Sequence, residues 1–369
     1  MSALTNKTRE LLKGAEARLR GLRGLIGLDG FVDQIIRVVD KIQADGSATY
    51  LADIPSWAQR IQGAAGKSVK FELGVQQTKL GGNGPIMANA LAQYGLPLTC
   101  LGNLSGSRGT EIHPIFKPME SHCRLISVGE TCYTDALEFN DGKVMLSRQE
   151  ATSEVTWEAM EHAVGEQELF HLFDQAQLVA LNNWTGLPRM TDIWRSLQEK
   201  FCPRFSPARR MLFIDLADPE FRLAEQIREA LEVISRFARW FDTTLGLNQK
   251  EAGEIGEVLG CKAEGDDRKF VQTAAETIRS RLNIQGVVVH ATAFAAAASK
   301  TDSKLVEGPF AEKPLISTGA GDHFNAGYAL AGILESDLEQ RLQLGVATSG
   351  YYVRTAQSPT LADIRGFLR

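Results

Sequence analysis

The 369-residue chain is 44% hydrophobic and 23% charged, the balance of an ordinary water-soluble globular protein, and its length suits one large α/β domain or two smaller ones. A net charge of −5, with no Lys/Arg block interleaved with aromatics, gives no support to a nucleic-acid partner. The five cysteines are odd in number and form no CxxC pair, which argues against a zinc site or a disulfide framework and for buried free thiols in a reducing compartment.

Residues 1–24 are too charged for a secretory signal, and Leu11, Leu12, Ala15, Leu19 and Leu22 predict an amphipathic surface helix. Leu25 to Leu28 reads as a strand ending in Asp29-Gly30. Ser68 to Thr78 alternates like an exposed strand and leads to Gly81-Gly82-Asn83 at the start of a helix. Ser121 to Glu130 reads as a loop, and Thr134 to Ser147 as a hairpin turning at Asn140-Asp141-Gly142. Leu178 to Leu181 runs into Asn182-Asn183, and Phe201 to Arg209 reads as a loop. Met211 to Ile214 ends at Asp215, Thr243 to Leu247 at Asn248, and Gly286 to Val289 at His290. The longest apolar run, Val287 to Ala298, is far short of the roughly 20 residues a membrane span needs. A soluble, cytoplasmic protein with no membrane partner is expected.

Short strands alternating with helices imply a mostly parallel sheet covered on both faces, with ligands at the carboxyl ends of the strands. The polar residues at those ends are therefore site candidates as a group. The antiparallel-looking stretches do not fit that sheet and read as a small β lid, from about 34–40, 68–79 and 131–149, within one domain spanning 1–369. An exposed lid also offers a surface for a homodimer.

The chemistry concentrates in Ser317-Thr318-Gly319-Ala320-Gly321-Asp322, which precedes a helix beginning at His323. Small residues let the backbone approach a ligand, and free N–H groups at a helix start attract anions. The helix dipole is expected to keep Asp322 ionised, as a base beside a phosphate cradle. On local physics alone, Asp322 could equally be a helix cap.

This segment resembles the second signature of the ribokinase-like (PfkB) carbohydrate kinases, centred on Gly-Ala-Gly-Asp. Leu80 to Ala92, with Gly81-Gly82-Asn83, resembles the first. The resemblance implies a three-layer α/β/α fold with a mostly parallel central sheet and a β-sheet lid. It implies phosphoryl transfer from ATP, with Mg²⁺, to a hydroxyl of a sugar or related polyol. Asp322 would be the base, with Gly319, Ala320 and Gly321 forming an anion hole. Asp33, or else Asp29, would hold acceptor hydroxyls, joined by Gly82, Asn83, Asn183 and the lid residue Glu138. Asn248-Gln249-Lys250-Glu251 resembles the family's Asn-x-x-Glu motif, so Asn248 and Glu251 would serve the metal. Thr318, Thr292 and Asn248 would lie by the nucleotide.

Departures occur at Ile86, where the family has Asn, at Ile316, where it has a polar residue, and after the strand ending at His290. There the usual Thr-x-Gly-x-x-Gly is replaced by His290-Ala291-Thr292-Ala293-Phe294, and a His at that strand end resembles ADP-dependent sugar kinases. ADP is thus an alternative donor. A nucleoside kinase using Phe139 or Tyr133 as an aromatic platform, and a catalytically silent ligand-binding protein, are the other readings.

Overall fold

The computed structural model describes residues 3–106, 111–261 and 265–368. Its strands in chain order are β1 (Gly24–Leu28), β2 (Phe31–Ile42), β3 (Ala48–Tyr50), β4 (Leu73–Gly81), β5 (Leu98–Gly102), β6 (Arg124–Ser127) and β7 (Cys132–Phe139). They continue with β8 (Gly142–Arg148), β9 (Leu178–Asn182), β10 (Met211–Asp215), β11 (Asp242–Asn248), β12 (Gly286–His290), β13 (Phe294–Ser299) and β14 (Ser303–Glu307).

The large sheet has the order β14-β13-β12-β11-β10-β9-β1-β5-β6, parallel from β12 to β6 and antiparallel at β13 and β14. Its inner strands are apolar along their whole length because both faces are covered. On β9, Leu178 and Ala180 enter the core on one face, while Val179 and Leu181 enter the core on the other. Helices Ala224–Arg236 and Asp267–Leu282 cover one face. Helices Asn83–Gln93, Ala320–Ile333 and Leu338–Thr355 cover the other, which completes the three layers expected from the sequence. The chain leaves β1 toward β5 and β6, then returns to β9 and proceeds the opposite way. This reversal opens a crevice at the carboxyl edge beside β1.

The second, smaller sheet is built on β2. Strand β4 pairs antiparallel on one side, β7 pairs parallel on the other, β8 extends β7, and β3 pairs the far end of β2. One face buries Ile36, Val38, Leu51, Leu137 and Phe139 under the helix Ile54–Gly63. Asp33 and Thr134, paired in register, belong to the alternate face, as do Glu138 and Lys143 across β7 and β8.

Three local expectations shift. The strand expected over Ser68 to Thr78 runs instead over Leu73–Gly81, because its register is set by pairing with Phe31 to Val38 of β2. The expected loop from Ser121 contains β6, a four-residue edge strand in which only Ile126 is buried, too short and too exposed to give a pattern. The apolar run from Val287 is not one element but the β12–β13 hairpin; among the described residues no helix is long and apolar enough to cross a membrane. All five cysteines are free and buried.

Arg210 precedes β10 at the amino edge of the sheet, opposite the crevice. Its guanidinium is 3% exposed and meets the Asp174 carboxylate at 2.5 Å, the Asp174 carbonyl at 2.7 Å and the Ser206 carbonyl at 2.8 Å. Replacing one partner of a buried ion pair strands the other charge. Arg210→Leu is expected to cost about 3 kcal/mol in urea denaturation while kinetic constants stay at wild-type values. An unchanged midpoint would show the pair to be dispensable.

Candidate active site

The site is built where two helix starts meet the carboxyl ends of β1 and β10. Strand β1 delivers Asp29, which is fully buried. Its carboxylate accepts the backbone N–H of Asn83 at 2.9 Å, the N–H of Gly84 at 2.7 Å and the Asn183 side-chain amide at 2.8 Å. Asp29 thus caps the Asn83 helix from another strand, the work a local N-cap cannot do because Gly82 has no side chain. Burial pushes its pKa up against the pull of these three donors. Gly82 has φ +88°, and a Cβ on Gly84 would stand 2.9 Å from the Asp29 carboxylate. Asn183, itself at φ +60°, uses its amide on Asp29 and its carbonyl on the Gly186 N–H, so both ends of the side chain are engaged within the protein.

Asp33 is different. It is 5% exposed, yet among the described residues its carboxylate has no hydrogen-bond partner. Its pKa rises from 3.8 to about 6, because burial outweighs the attraction of Lys79. A Cβ on Gly81 would lie 2.3 Å from its Oδ1, so glycine at that position is a condition for this carboxylate's placement. Of the two aspartates proposed for acceptor hydroxyls, Asp33 therefore has open acceptor atoms and Asp29 does not.

Asp322 lies in the first turn of the Ala320 helix, 7% exposed, and accepts the Asn83 side-chain amide at 3.0 Å. The sequence led us to expect an ionised carboxylate here. Its proton affinity is nonetheless raised above that of an ordinary carboxylate, first by burial and then by Asp215, Asp29 and Asp33. The partial charge of a helix start is outweighed by burial and three neighbouring carboxylates. Before it, Gly319 has φ +90°. The Thr318 carbonyl accepts the Tyr352 hydroxyl at 3.0 Å, and the Gly319 carbonyl accepts the His323 N–H. The His323 ring lies 2.7 Å from the Gly319 carbonyl, stacks on Tyr352 at 3.6 Å and is kept neutral by burial, its pKa near 4. These contacts tie the loop to its own helix and to Tyr352. Of the N–H groups expected to line an anion hole, that of Ala320 is already donated to the Ser317 carbonyl at 3.1 Å. Those of Gly321 and Asp322 begin the helix and have no carbonyl one turn back within it.

On the other side of Asp322, Asn325 donates its amide to Asp215 at 2.7 Å, one turn along the same helix face. Asp215 and Glu251 are both buried, and burial raises Asp215 to about 6, with Asp218 and Asp29 adding to it, and Glu251 to about 8, with Asp215 adding to it. Asn248 and Glu251 form a reciprocal capping box at 2.9 and 2.8 Å, and Glu251 also accepts the Asp218 N–H at 3.0 Å. Both capping and metal service are open to this pair. The two carboxylates are hard oxygen donors of the kind that suits Mg²⁺. Among the described residues no three ligating side chains form a cage.

Thr292, Asn248, His290, Ser317, Ala320 and Gly321 border a cavity of about 430 Å³ whose far wall carries Phe294, Pro309, Val346 and Val353. The usual glycine loop is replaced by a tight turn in which Ala291 N–H reaches the Phe294 carbonyl at 2.9 Å. Gly321 is pressed to His290, 3.3 Å from a Cβ added there. Thr318 stands between this cavity and the lid, where it accepts the Lys143 ammonium. Glu138 is exposed on the lid, opposite Lys143. Phe139 is buried in the back of the lid, and Tyr133 shares its strand face, so neither forms an aromatic platform over Asp33.

With this geometry in view, comparison with known proteins is decisive. The family model for prokaryotic ketohexokinases matches residues 3–369. The chain belongs to that family. A ketohexokinase from Haloferax volcanii is 28% identical over 95% of this chain and 92% of its own length. Ribokinase from Cryptococcus neoformans in complex with ADP aligns at a TM-score of 0.64, with 15% identity over 94% of this chain and 99% of that one. A Burkholderia thailandensis nucleoside kinase in complex with inosine aligns at 0.62, with 15% identity over 94% and 97%. This prokaryotic ketohexokinase family member is a PfkB-type carbohydrate kinase with a ribokinase-like fold, a sugar- or nucleoside-type phosphotransferase. Sequence reasoning missed the Asp215–Asn325 link, although Asp215 stood in the strand-end group. It also missed Lys79 and Lys143, since a lysine on an exposed strand looks like an ordinary solvated edge.

Because the folded state raises the Asp33 pKa, ionisation opposes folding. The penalty is absent below about pH 4, grows to pH 6 and is constant above. In this carbohydrate kinase, Asp33→Asn is expected to raise stability at pH 7.5 by about 2 kcal/mol, to show no gain at pH 4, and to lose acceptor affinity. Thermal melts at both pH values and acceptor KM test this; a destabilised variant at pH 7.5 would contradict it.

Proposed function

We propose that the protein transfers the γ-phosphoryl group of ATP, with Mg²⁺, to a hydroxyl of a ketohexose, with Asp322 as the base. One observation carries this reading: the buried Asp322 carboxylate, held by the Asn83 amide, feels the charge of Asp33, while Ala320 and Gly321 of its loop border the 430 Å³ cavity. Acceptor and donor would thus meet across a single carboxylate. The ketohexose is favoured by the Haloferax ketohexokinase, alike over nearly its full length.

Asp33 would accept hydrogen bonds from acceptor hydroxyls, and the Asn83 amide would orient Asp322 toward the reacting one. Burial gives Asp322 a high proton affinity, which suits accepting the hydroxyl proton as the oxygen attacks. The Gly321 and Asp322 N–H groups would face charge growing on the transferred phosphoryl. Asp215 and Glu251 would hold the Mg²⁺, whose positive charge would serve the donor phosphates. The apolar wall of Phe294, Pro309, Val346 and Val353 suits a purine base.

Asp322→Asn is expected to lower kcat by about 10³-fold while leaving nucleotide Kd within about twofold, read by coupled assay and calorimetry. Near wild-type turnover would end the role of Asp322. A panel of ketohexoses, aldoses and nucleosides, each with ATP and with ADP, tests the substrates. Turnover only with nucleosides, or only with ADP, would replace the corresponding half of the reading.

A further inference from the structure

Two lid lysines reach the loop that begins the Asp322 helix. Lys143, on β8, donates to the Ser317 hydroxyl at 3.0 Å and to the Thr318 hydroxyl. Lys79, near the end of β4, donates to the Thr318 carbonyl at 3.4 Å. Both partners of Lys143 are neutral hydroxyls, and the partner of Lys79 is a neutral carbonyl. No ion pair holds either ammonium among the described residues, although Asp33 stands in register with Lys79 and Glu138 with Lys143 on the adjacent strands. Lys79 is largely desolvated, and burial lowers its pKa despite the attraction of Asp33, Asp322 and Glu138. Lys143 keeps access to solvent at the cleft mouth but is crowded enough that its pKa also falls. A desolvated ammonium is costly unless a negative partner completes it. A half-buried and a cleft-mouth ammonium, both held against neutral oxygens of the loop that begins the Asp322 helix, make sense if a further partner is the phosphoryl group itself.

We propose that Lys79 and Lys143 are phosphoryl-binding residues of this kinase, delivered by the lid, which exchange the Ser317 and Thr318 oxygens for oxygens of the transferring group. The proposal rests on Asp322 and its loop being the transfer site. In the step they serve, the acceptor oxygen forms a bond to the γ-phosphorus, and its proton passes to Asp322. The bond from that phosphorus to the bridging oxygen breaks, and the bridging oxygen keeps the electron pair on the departing nucleoside diphosphate. The lysines neither gain nor lose a proton. They face charge that spreads over the three peripheral phosphoryl oxygens, and their arrival closes the lid over the acceptor.

The test uses the full-length protein with fructose, ADP and aluminium fluoride, a mimic of the phosphoryl in transfer. Lys143→Met and Lys79→Met should each weaken the ADP–aluminium fluoride–fructose complex at least about tenfold, with kcat falling in parallel. Affinity for ADP alone and KM for fructose should stay within about twofold. Lys143→Arg, which keeps the charge, should recover part of the loss. A lysine that merely holds the lid in place would instead lower the melting temperature and be rescued by neither charge nor size. Wild-type aluminium fluoride affinity in both Met variants would overturn the proposal, as would a rise in fructose KM with kcat preserved. Failure of the Asp322 reading shows separately, as turnover retained in Asp322→Asn.

Discussion

Too much negative charge is gathered in too little water, and the architecture of the cleft is a response to it. Asp29, Asp33, Asp215, Glu251 and Asp322 are all buried within the carboxyl edge of one sheet, and each has its pKa pushed upward. Such a cluster is tolerated only where dipoles or cations answer it. Backbone N–H groups and side-chain amides answer three of the five. Asp29 is met by two helix-start N–H groups and an amide, and Asp215 by Asn325 and the Ala217 N–H. Glu251 is met by two backbone N–H groups. Asp33 and Asp322 are the least satisfied, and these two face the open cleft.

That distribution separates supporting carboxylates from working ones more sharply than residue type could. Asp29 and Asp33 are four positions apart and chemically identical, yet one is saturated by the protein and the other is not. The difference arises from the turn between β1 and β2. Asp29 points under the Asn83 helix, while Asp33 has entered the lid strand and faces back across Gly81. The same helix start that consumes the oxygens of Asp29 presents Asn83 to Asp322, so acceptor side and base are braced through a single turn of backbone.

The fold was largely legible because its signals are local. Continuous apolar strands ending in polar residues announce a covered parallel sheet, and Gly-Ala-Gly-Asp before a helix announces the anion-facing loop. The lid hairpin was read from Asn140-Asp141-Gly142, and β7 and β8 do meet there. What escaped was non-local. The register of β4 depends on β2, forty residues earlier in the chain, and the ionisation of Asp322 depends on aspartates from three other strands. Lys79 and Lys143 carry no pattern at all, since their importance comes from which loop they touch.

The lid is not a separate domain appended to one end. It is two insertions into the sheet, one between β1 and the Asn83 helix and one after β6, which pair with each other through β2 and β7. Asp215, Glu251 and the Asp322 loop lie wholly outside both insertions. Evolution can therefore rewrite the cover of the acceptor pocket, strand by strand, without touching the part that moves phosphate. A descendant with a new diet would be expected to differ first in β2, β4, β7 and β8, while its donor half stayed recognisably ancestral.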